Sequence, residues 1–124
     1  MGKNVINFSF IIPHKNTPIL LKRCIDSIPL REDIQIIVID DNSSPTIVNI
    51  DEIRNYRTGN YEVYIIQDNK GAGRARNEGL KYAKGRWLVF ADADDEYTIM
   101  FSQLLDKYCQ VDNRSEERRV GKEC

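Results

Sequence analysis

The sequence predicts an α/β fold built on a mostly parallel β-sheet. Short apolar segments rich in β-branched residues alternate with segments of helical spacing along the chain, which is the pattern of β–α–β units. One apolar segment, Ile34 to Ile39, is almost unbroken, as expected of a strand buried on both faces of a parallel sheet. The length of 124 residues is typical of one domain.

The first β–α unit occupies the first thirty residues. Phe8 to Ile12 predicts a strand, which Pro13 is expected to close. Thr17 is a suitable N-cap, and Pro18 suits the first helical position. Because apolar residues then recur at helical spacing, we predict a helix that runs to about Ile28.

The second and third strands are predicted with a short, weakly indicated helix between them. The strand Ile34 to Ile39 leads into a polar turn, Asp40 to Ser44, and Ile47 to Arg57 predicts a helix. A turn at Thr58 to Asn60 then precedes an alternating strand over Tyr61 to Gln67.

The remaining segments complete the alternation of strands and helices. A helix is predicted over Arg74 to Lys84, with Gly85 as its C-terminal stop. Trp87 to Ala91 predicts the fourth strand, and an acidic loop, Asp92 to Glu96, follows it. Ile99 to Tyr108 predicts a last amphipathic helix.

Composition and charge exclude several classes of protein. The 18 basic and 19 acidic residues give a formal net charge of −1, without the basic surplus typical of nucleic-acid-binding proteins. The chain contains no apolar run long enough to predict a membrane span, and its start lacks the pattern of a secretory signal. Cys24, Cys109 and Cys124 lack metal-ligand spacing, so we expect reduced cysteines in a cytosolic setting.

The last eleven residues, Arg114 to Cys124, differ from the rest of the chain. They hold seven charged residues and one large apolar residue, Val120. The string is similar to the translation of a common sequencing-adapter oligonucleotide joined to a truncated reading frame. We therefore predict that 114–124 is a non-native tail and that the natural protein continues beyond Asn113. A solvated, frayed helix end is the alternative.

The distinctive polar residues follow the carboxyl ends of the predicted strands. In an open parallel sheet these ends meet at one rim, where ligands bind. Four polar loops are therefore expected to converge there, namely Pro13–Asn16, Asp40–Ser43, Asp68–Gly71 and Asp92–Asp95.

The acidic loop carries the strongest indication of function. Three carboxylates within four residues, Asp92, Asp94 and Asp95, repel one another unless a cation lies among them. A hard divalent cation such as Mg²⁺ or Mn²⁺ binds such carboxylates and keeps positions open for substrate phosphates. The alternative is an ordinary acidic turn at the start of a helix.

Two further loops hold candidate ligand-binding residues. Asp40 and Asp41 follow a strand, where a carboxylate can accept hydrogen bonds from a nucleobase N–H or from ribose hydroxyls; an Asx-type turn is the alternative. Gly71 permits close approach of the backbone to a ligand, and Arg76 supplies donors suited to phosphate. The alternative for this second loop is a flexible segment with solvated arginines. The dinucleotide-binding glycine fingerprint is absent, because the glycines follow the third strand and an arginine stands at position 76.

Together these segments resemble the family 2 glycosyltransferases, which have the GT-A fold. The matching segments are FIIPHKN, IIVIDDNSSP, NKGAGRARNEGLKYAKG and WLVFADADDEY, in the order and spacing of the family's amino-terminal half over about residues 7–105. The resemblance implies that 1–113 is the amino-terminal half of a Rossmann-like, three-layer GT-A domain with a mostly parallel central sheet. That half would bind a UDP- or GDP-linked sugar, with a divalent metal held on the diphosphate by the Asp-x-Asp loop.

The resemblance also implies roles for individual residues. Asp94 would be the metal ligand, with Asp92 and Asp95 as further ligands, and the doubled acid leaves the choice between Asp94 and Asp95 open. Asp41 would contact the base with Asp40 beside it, and Asp92 would also face the ribose. The other positions that match nucleotide-sugar-binding segments are Pro13, His14, Asn16, Gly71, Arg76 and Asn77.

For the parent protein, the resemblance implies transfer of the sugar, with inversion, to a hydroxyl of a glycan or lipid-linked acceptor in polysaccharide or glycoconjugate biosynthesis. The family's carboxylate base lies in the second half of the domain, so this chain is expected to bind the donor and to transfer poorly. Family members of this kind work in the cytosol, often at the inner face of the membrane. A half-domain also exposes a sheet edge, which predicts a homodimer.

Two other functions are compatible with the sequence. One is a non-catalytic nucleotide-binding or interaction module. The other is a phosphohydrolase of the haloacid-dehalogenase type, which also has Asp-x-Asp after an apolar strand. In that class the motif follows the first strand and a threonine or valine normally stands two residues after the second aspartate, where this chain has Glu96.

Overall fold

A computed structural model describes residues 5–68, 70–98, 100–109 and 119–120, and shows an α/β fold with an all-parallel sheet. None of the described helices is long and apolar enough to cross a bilayer. The strands are β1 Phe8–His14, β2 Ile34–Asp41, β3 Tyr61–Ile66, β4 Trp87–Phe90 and β5 Arg119–Val120. The helices are α1 Pro18–Ser27, α2 Ile50–Arg54, α3 Ala72–Leu80 and α4 Phe101–Cys109.

The sheet reverses its direction of growth at β1. Its strand order is β3-β2-β1-β4-β5, so the chain builds outward through β2 and β3 and then crosses back to place β4 on the other side of β1. Ile11 of β1 is thus paired with Ile37 of β2 and with Phe90 of β4. A reversal of this kind leaves a crevice at the carboxyl ends of the strands on either side of it.

Helices cover both faces of the sheet, which confirms the three-layer arrangement. On one face, Phe10 of β1 packs in a large buried cluster with Ile25 of α1 and Leu105 of α4. On the other face, Ile11 packs in a smaller cluster with Ala75 of α3. Because neighbouring residues of a strand point to opposite faces, a sheet covered on both sides requires the continuous apolar runs seen in β1 and β2.

Two strands extend beyond their predicted ends. Pro13 does not close β1, because the strand continues through it to His14, opposite Ile39 and Asp40 of β2. The pairing of β4 with β1 ends at Ile11, so the missing amide hydrogen of proline falls where β1 has a paired neighbour on one side only. Asp40 and Asp41 are therefore strand residues rather than turn residues.

Two helices differ from their predicted bounds. The second spans only Ile50–Arg54, after an N-cap at Asn49 whose side chain accepts two backbone N–H groups. The third ends at Leu80 rather than at Lys84, so Gly85 is not its C-terminal stop. Ile99, the predicted start of the last helix, lies outside the described residues.

Part of the predicted tail forms a strand. Arg119–Val120 pairs in parallel with Leu88 and Val89 of β4. The other residues of 114–124 lie outside the described part of the chain. The non-native origin of this tail stays a prediction.

Gly85 is needed where the chain passes over the backbone of β1. A Cβ at this position would lie 2.7 Å from the backbone nitrogen of Ser9 and 2.8 Å from the carbonyl carbon of Phe8. The Gly85 amide donates to Ser9 Oγ at 2.8 Å, and that hydroxyl donates to Gln35 Oε1 at 2.6 Å. Since both side chains are buried, this close approach satisfies polar groups that would otherwise be costly.

We predict that Gly85→Ala destabilises the fold by about 1–3 kcal/mol, because the methyl group meets backbone atoms that cannot move aside. Urea denaturation measures the free energy of unfolding. Gly73→Ala is the matched control, since a Cβ there meets nothing within 4 Å and alanine favours the helix. Equal stability of the two variants would contradict the packing described.

Candidate functional site

The topology gathers four loops at the carboxyl ends of the strands. The segments after β1, β2, β3 and β4 all leave the same edge of the sheet, because the strands are parallel. A separate cleft of about 480 Å³, lined by Arg31 and Arg57 among others, precedes β2 and β3 at the opposite edge. The predicted site residues belong to the first edge.

A buried histidine–aspartate pair joins the carboxyl ends of β1 and β2. His14 Nδ1 lies 2.8 Å from Asp40 Oδ1, and both residues are buried. The backbone amide of Thr17 donates to His14 Nε2 at 3.1 Å, so Nε2 acts as an acceptor. The ring proton is therefore on Nδ1, which donates a hydrogen bond to Asp40. Thr17 is the N-cap residue of α1 and Pro18 its first residue, as predicted, but the Thr17 side chain makes no capping bond.

Ser43 and Asn16 complete this connection between the loops. Ser43 donates to Asp40 through its amide at 2.9 Å and through its hydroxyl at 2.7 Å. The Asn16 amide donates to Ser43 Oγ, and Asn16 Oδ1 accepts from the Ser44 amide. Asn16 holds a φ of 58°, which asparagine tolerates better than most residues.

These bonds give three predicted nucleotide-binding residues a scaffolding role. His14 and Asp40 bond through both polar atoms of their side chains to partners within the protein, and Asn16 does so through its Oδ1; their contact with a nucleotide stays a prediction. Ser43 was not among the predicted site residues. The Asx-turn interpretation of the loop after β2, in which an aspartate bonds locally, was the signal that could have found it.

The electrostatics of Asp40 follow from the same bonds. Burial by itself would raise the pKa of this carboxyl, but hydrogen bonds from His14 and Ser43 outweigh it and hold the pKa below its ordinary value. Asp40 is therefore an ionised acceptor at neutral pH. This charge state suits a residue that tightens two loops.

Asp41 is the buried carboxylate with spare bonding capacity. It is 5% exposed, and its Oδ2 accepts from the amide of Gly71 at 3.2 Å. Its other oxygen, Oδ1, is buried and has no hydrogen-bond partner among the described residues. Gly71 has a φ of 91° and is the N-cap of α3, so this bond places the start of α3 beside Asp41. A buried carboxylate oxygen without a donor is costly, which points to a ligand N–H or O–H at this position.

Helix α3 connects this region to the acidic loop. Arg76 donates to Asp92 Oδ1 at 3.0 Å, and Asn77 next to it is exposed. Arg74 is engaged elsewhere, with Asp68 and with the following turn of its own helix. Of the two arginines in this segment, Arg76 is thus the one that reaches the predicted metal loop.

The three aspartates of the acidic loop form a tight group. Asp92, Asp94 and Asp95 each offer an oxygen atom, and these atoms lie within 4.8 Å of one another. Asp95 Oδ2 accepts from the Asp92 amide at 2.8 Å. Asp94 is exposed, and no described group donates to its carboxylate. This geometry favours Asp94 over Asp95 as the more available metal ligand.

The group of carboxylates influences a neighbouring thiol. Burial, together with the charges of Asp95, Asp92 and Asp94, raises the pKa of Cys24 to about 12. The loop contacts α1 directly, because Arg23 of that helix donates to the carbonyl oxygen of Asp94. Hard carboxylate oxygens in this number fit Mg²⁺ or Mn²⁺.

With this geometry established, comparison with known proteins identifies the family. The chain matches the profile of glycosyl transferase family 2 over residues 9–114. It therefore belongs to that family, and the predicted GT-A architecture is confirmed by the solved structures described next.

The relatives are bacterial glycosyltransferases. The chain is 32% identical to a poly(ribitol-phosphate) beta-glucosyltransferase of Bacillus spizizenii, over 73% of this chain and 15% of that protein. It is 37% identical to the Escherichia coli glycosyltransferase YibD, over 85% of this chain and 31% of that one. The crystal structure of Staphylococcus aureus TarS 1-349 superposes with a TM-score of 0.69 at 27% identity, covering 83% of this chain and 32% of that one. The chain thus spans less than a third of the length of each.

We predict that Asp40→Asn lowers the stability of the fold at neutral pH. We also expect the stability of this variant to change less with pH in the acid range than that of the unmodified chain. The pKa of Asp40 is lower in the folded than in the unfolded chain, so its bonds stabilise the fold fully above the unfolded value. That stabilisation is lost as the pH falls below 3.8 and through the folded pKa. Thermal unfolding between pH 2 and pH 7, about the span in which carboxylates titrate, measures the effect.

The control is Glu32→Gln, which neutralises an exposed carboxylate at the other edge of the sheet. It is expected to leave both the stability and the acid profile near those of the unmodified chain. An acid profile of Asp40→Asn identical to that of the unmodified chain would contradict the role given to the His14–Asp40–Ser43 bonds.

Proposed function

We propose that this chain is the donor-binding part of an inverting glycosyltransferase that uses a UDP- or GDP-linked sugar. The observation that carries the proposal is the buried Oδ1 of Asp41, which lacks a donor among the described residues at the rim shared with the acidic loop. A nucleobase N–H or a ribose hydroxyl is a donor of the required kind. A structure of the related TarS 1-349 contains UDP-GlcNAc, which supports this class of ligand.

We further propose that Asp94, with Asp92 and Asp95, holds a divalent cation. Mn²⁺ or Mg²⁺ bound there would offset negative charge on the departing diphosphate. Arg76 forms an ion pair with Asp92 of this cluster and would set the orientation of the Asp92 carboxylate. The remaining polar groups of the rim would keep the loops in place around the donor.

For the parent protein, we propose an acceptor and a catalytic base that this chain does not supply. A base must lie opposite the leaving group to deprotonate an acceptor hydroxyl, and we propose that it lies beyond residue 113. The chain would then bind the donor and transfer sugar poorly; a robust rate of transfer would contradict this. Relatives that include a teichoic acid biosynthesis protein support a glycan or lipid-linked acceptor, and we propose that the parent acts in the cytoplasm, at the inner face of the membrane.

A homodimer through a sheet edge is also proposed. In the described sheet β3 forms one edge, and Ile65 on that strand is 39% exposed. Unpaired strand edges with apolar side chains favour pairing with another chain. Sedimentation velocity tests this, and a monomer at all concentrations would contradict it.

The binding proposal predicts that UDP or GDP binds more tightly in the presence of Mn²⁺. Isothermal titration calorimetry on the 124-residue chain measures this affinity with and without metal. Asp94→Ala is expected to remove the metal-dependent gain, because it removes the most available carboxylate of the cluster. Asp41→Asn is expected to weaken nucleotide binding about 10-fold or more, whether or not metal is present, since the amide NH2 donates rather than accepts and the neutral amide oxygen accepts more weakly than a carboxylate.

The control for both variants is Glu32→Ala, which removes a carboxylate at the opposite edge of the sheet. Its affinities for nucleotide and metal should equal those of the unmodified chain. Lack of binding of either nucleotide by the unmodified chain would favour a non-catalytic interaction module instead.

A further inference from the structure

We propose that Arg23 is a positioning residue for the acidic loop, holding the main chain of Asp94 so that its carboxylate is presented to the cation. This inference rests on the proposed function, since it assumes a divalent cation at that loop. Arg23 lies on α1, which neither the motifs nor the predicted site residues include. Its link to the loop spans 71 positions of the sequence.

The contact is made through the backbone. Arg23 Nη2 donates to the carbonyl oxygen of Asp94 at 3.2 Å, and Arg23 Nε lies 3.7 Å from Glu96 Oε1. The guanidinium therefore contacts the residues before and after Asp95, and it makes no described bond to the Asp94 carboxylate. An arginine that paired with that carboxylate would compete with a cation for the same oxygen atoms.

The position of this contact within the loop gives it its effect. Before the loop, the Ala91 amide donates to the carbonyl of Ile11 at 3.0 Å. After it, the buried ring of Tyr97 stacks on Phe101 with centroids 4.3 Å apart. Asp94, by contrast, is exposed, and Arg23 ties its backbone to the helix beneath.

Arg23 has two opposing effects on cation binding: it fixes the backbone of the acidic loop, and its positive charge repels the cation. Three carboxylates within 4.8 Å repel one another and favour an opened loop, which a fixed backbone resists. The positive charge of Arg23 opposes a bound cation, but Glu96 offsets that charge and the pair is about half exposed, so solvent screens it. The positioning effect is therefore expected to be the larger one.

The test compares Mn²⁺ binding by three variants of the 124-residue chain. Electron paramagnetic resonance of the free Mn²⁺ ion measures metal affinity in the presence of UDP, and calorimetry measures UDP affinity without metal. Arg23→Met is expected to weaken Mn²⁺ binding about 3- to 10-fold, below the usual effect of groups that orient metal ligands because Arg23 is half exposed. Arg23→Lys, which keeps the charge and loses the fork of donors, should fall between Arg23→Met and the unmodified chain.

Lys22→Met is the matched control, since Lys22 is the neighbouring basic residue of α1 and pairs instead with Glu52. It should leave Mn²⁺ affinity unchanged. In Arg23→Met, UDP affinity without metal and the melting temperature should stay close to those of the unmodified chain, which a general structural role would not allow. If Arg23→Met does not fold, Arg23→Lys decides the question by the same measurements.

The outcomes separate this inference from the proposed function. Failure of the unmodified chain to bind Mn²⁺ with UDP would overturn the proposed metal site and this inference with it. Normal binding by the unmodified chain, with equal or tighter binding by Arg23→Met, would overturn the role of Arg23 alone. Tighter binding would also show that the charge of Arg23 acts only to repel the cation.

Discussion

The parallel pairing of β1 with β2 on one side and with β4 on the other determines where the loops and helices lie. Parallel strands end at the same edge, so this pairing alone brings segments distant in the sequence to one rim. It also buries β1 on both faces and requires helices above and below the sheet. The rim then has a rigid floor, from which polar loops emerge.

Hydrogen bonds between loops convert that common edge into a defined site. The His14–Asp40–Ser43 bonds tie the end of β1 to the end of β2 and to the loop after it, and both His14 and Asp40 are buried. Asp41 continues this connection to Gly71, and Arg76 extends it to Asp92. Hydrogen bonds to ionised carboxylates are stronger than bonds between neutral groups, so they favour this arrangement of the loops over others.

The acidic residues of the rim divide the work among them by environment. Asp40 is buried with both oxygens satisfied, and Asp41 is buried with one oxygen that has no described partner. Asp95 bonds within its own loop, whereas the exposed carboxylate of Asp94 is available. Adjacent aspartates thus differ in role because a one-residue step along a strand or turn changes which way the side chain points.

Local patterns in the sequence predict the layers, the parallel sheet and the rim where the polar loops meet, because hydrophobic periodicity and the positions of glycine and proline act within single segments. Such patterns also indicate the acidic loop, since closely spaced carboxylates carry their meaning in one segment. The tertiary structure decided what depends on pairing partners. It keeps Pro13 and Asp40 inside strands and places Gly85 against β1 instead of at the end of α3. It also pairs His14 with Asp40, which connects the ends of β1 and β2. Those outcomes depend on contacts between residues 26 to 76 positions apart, which no local pattern in the sequence encodes.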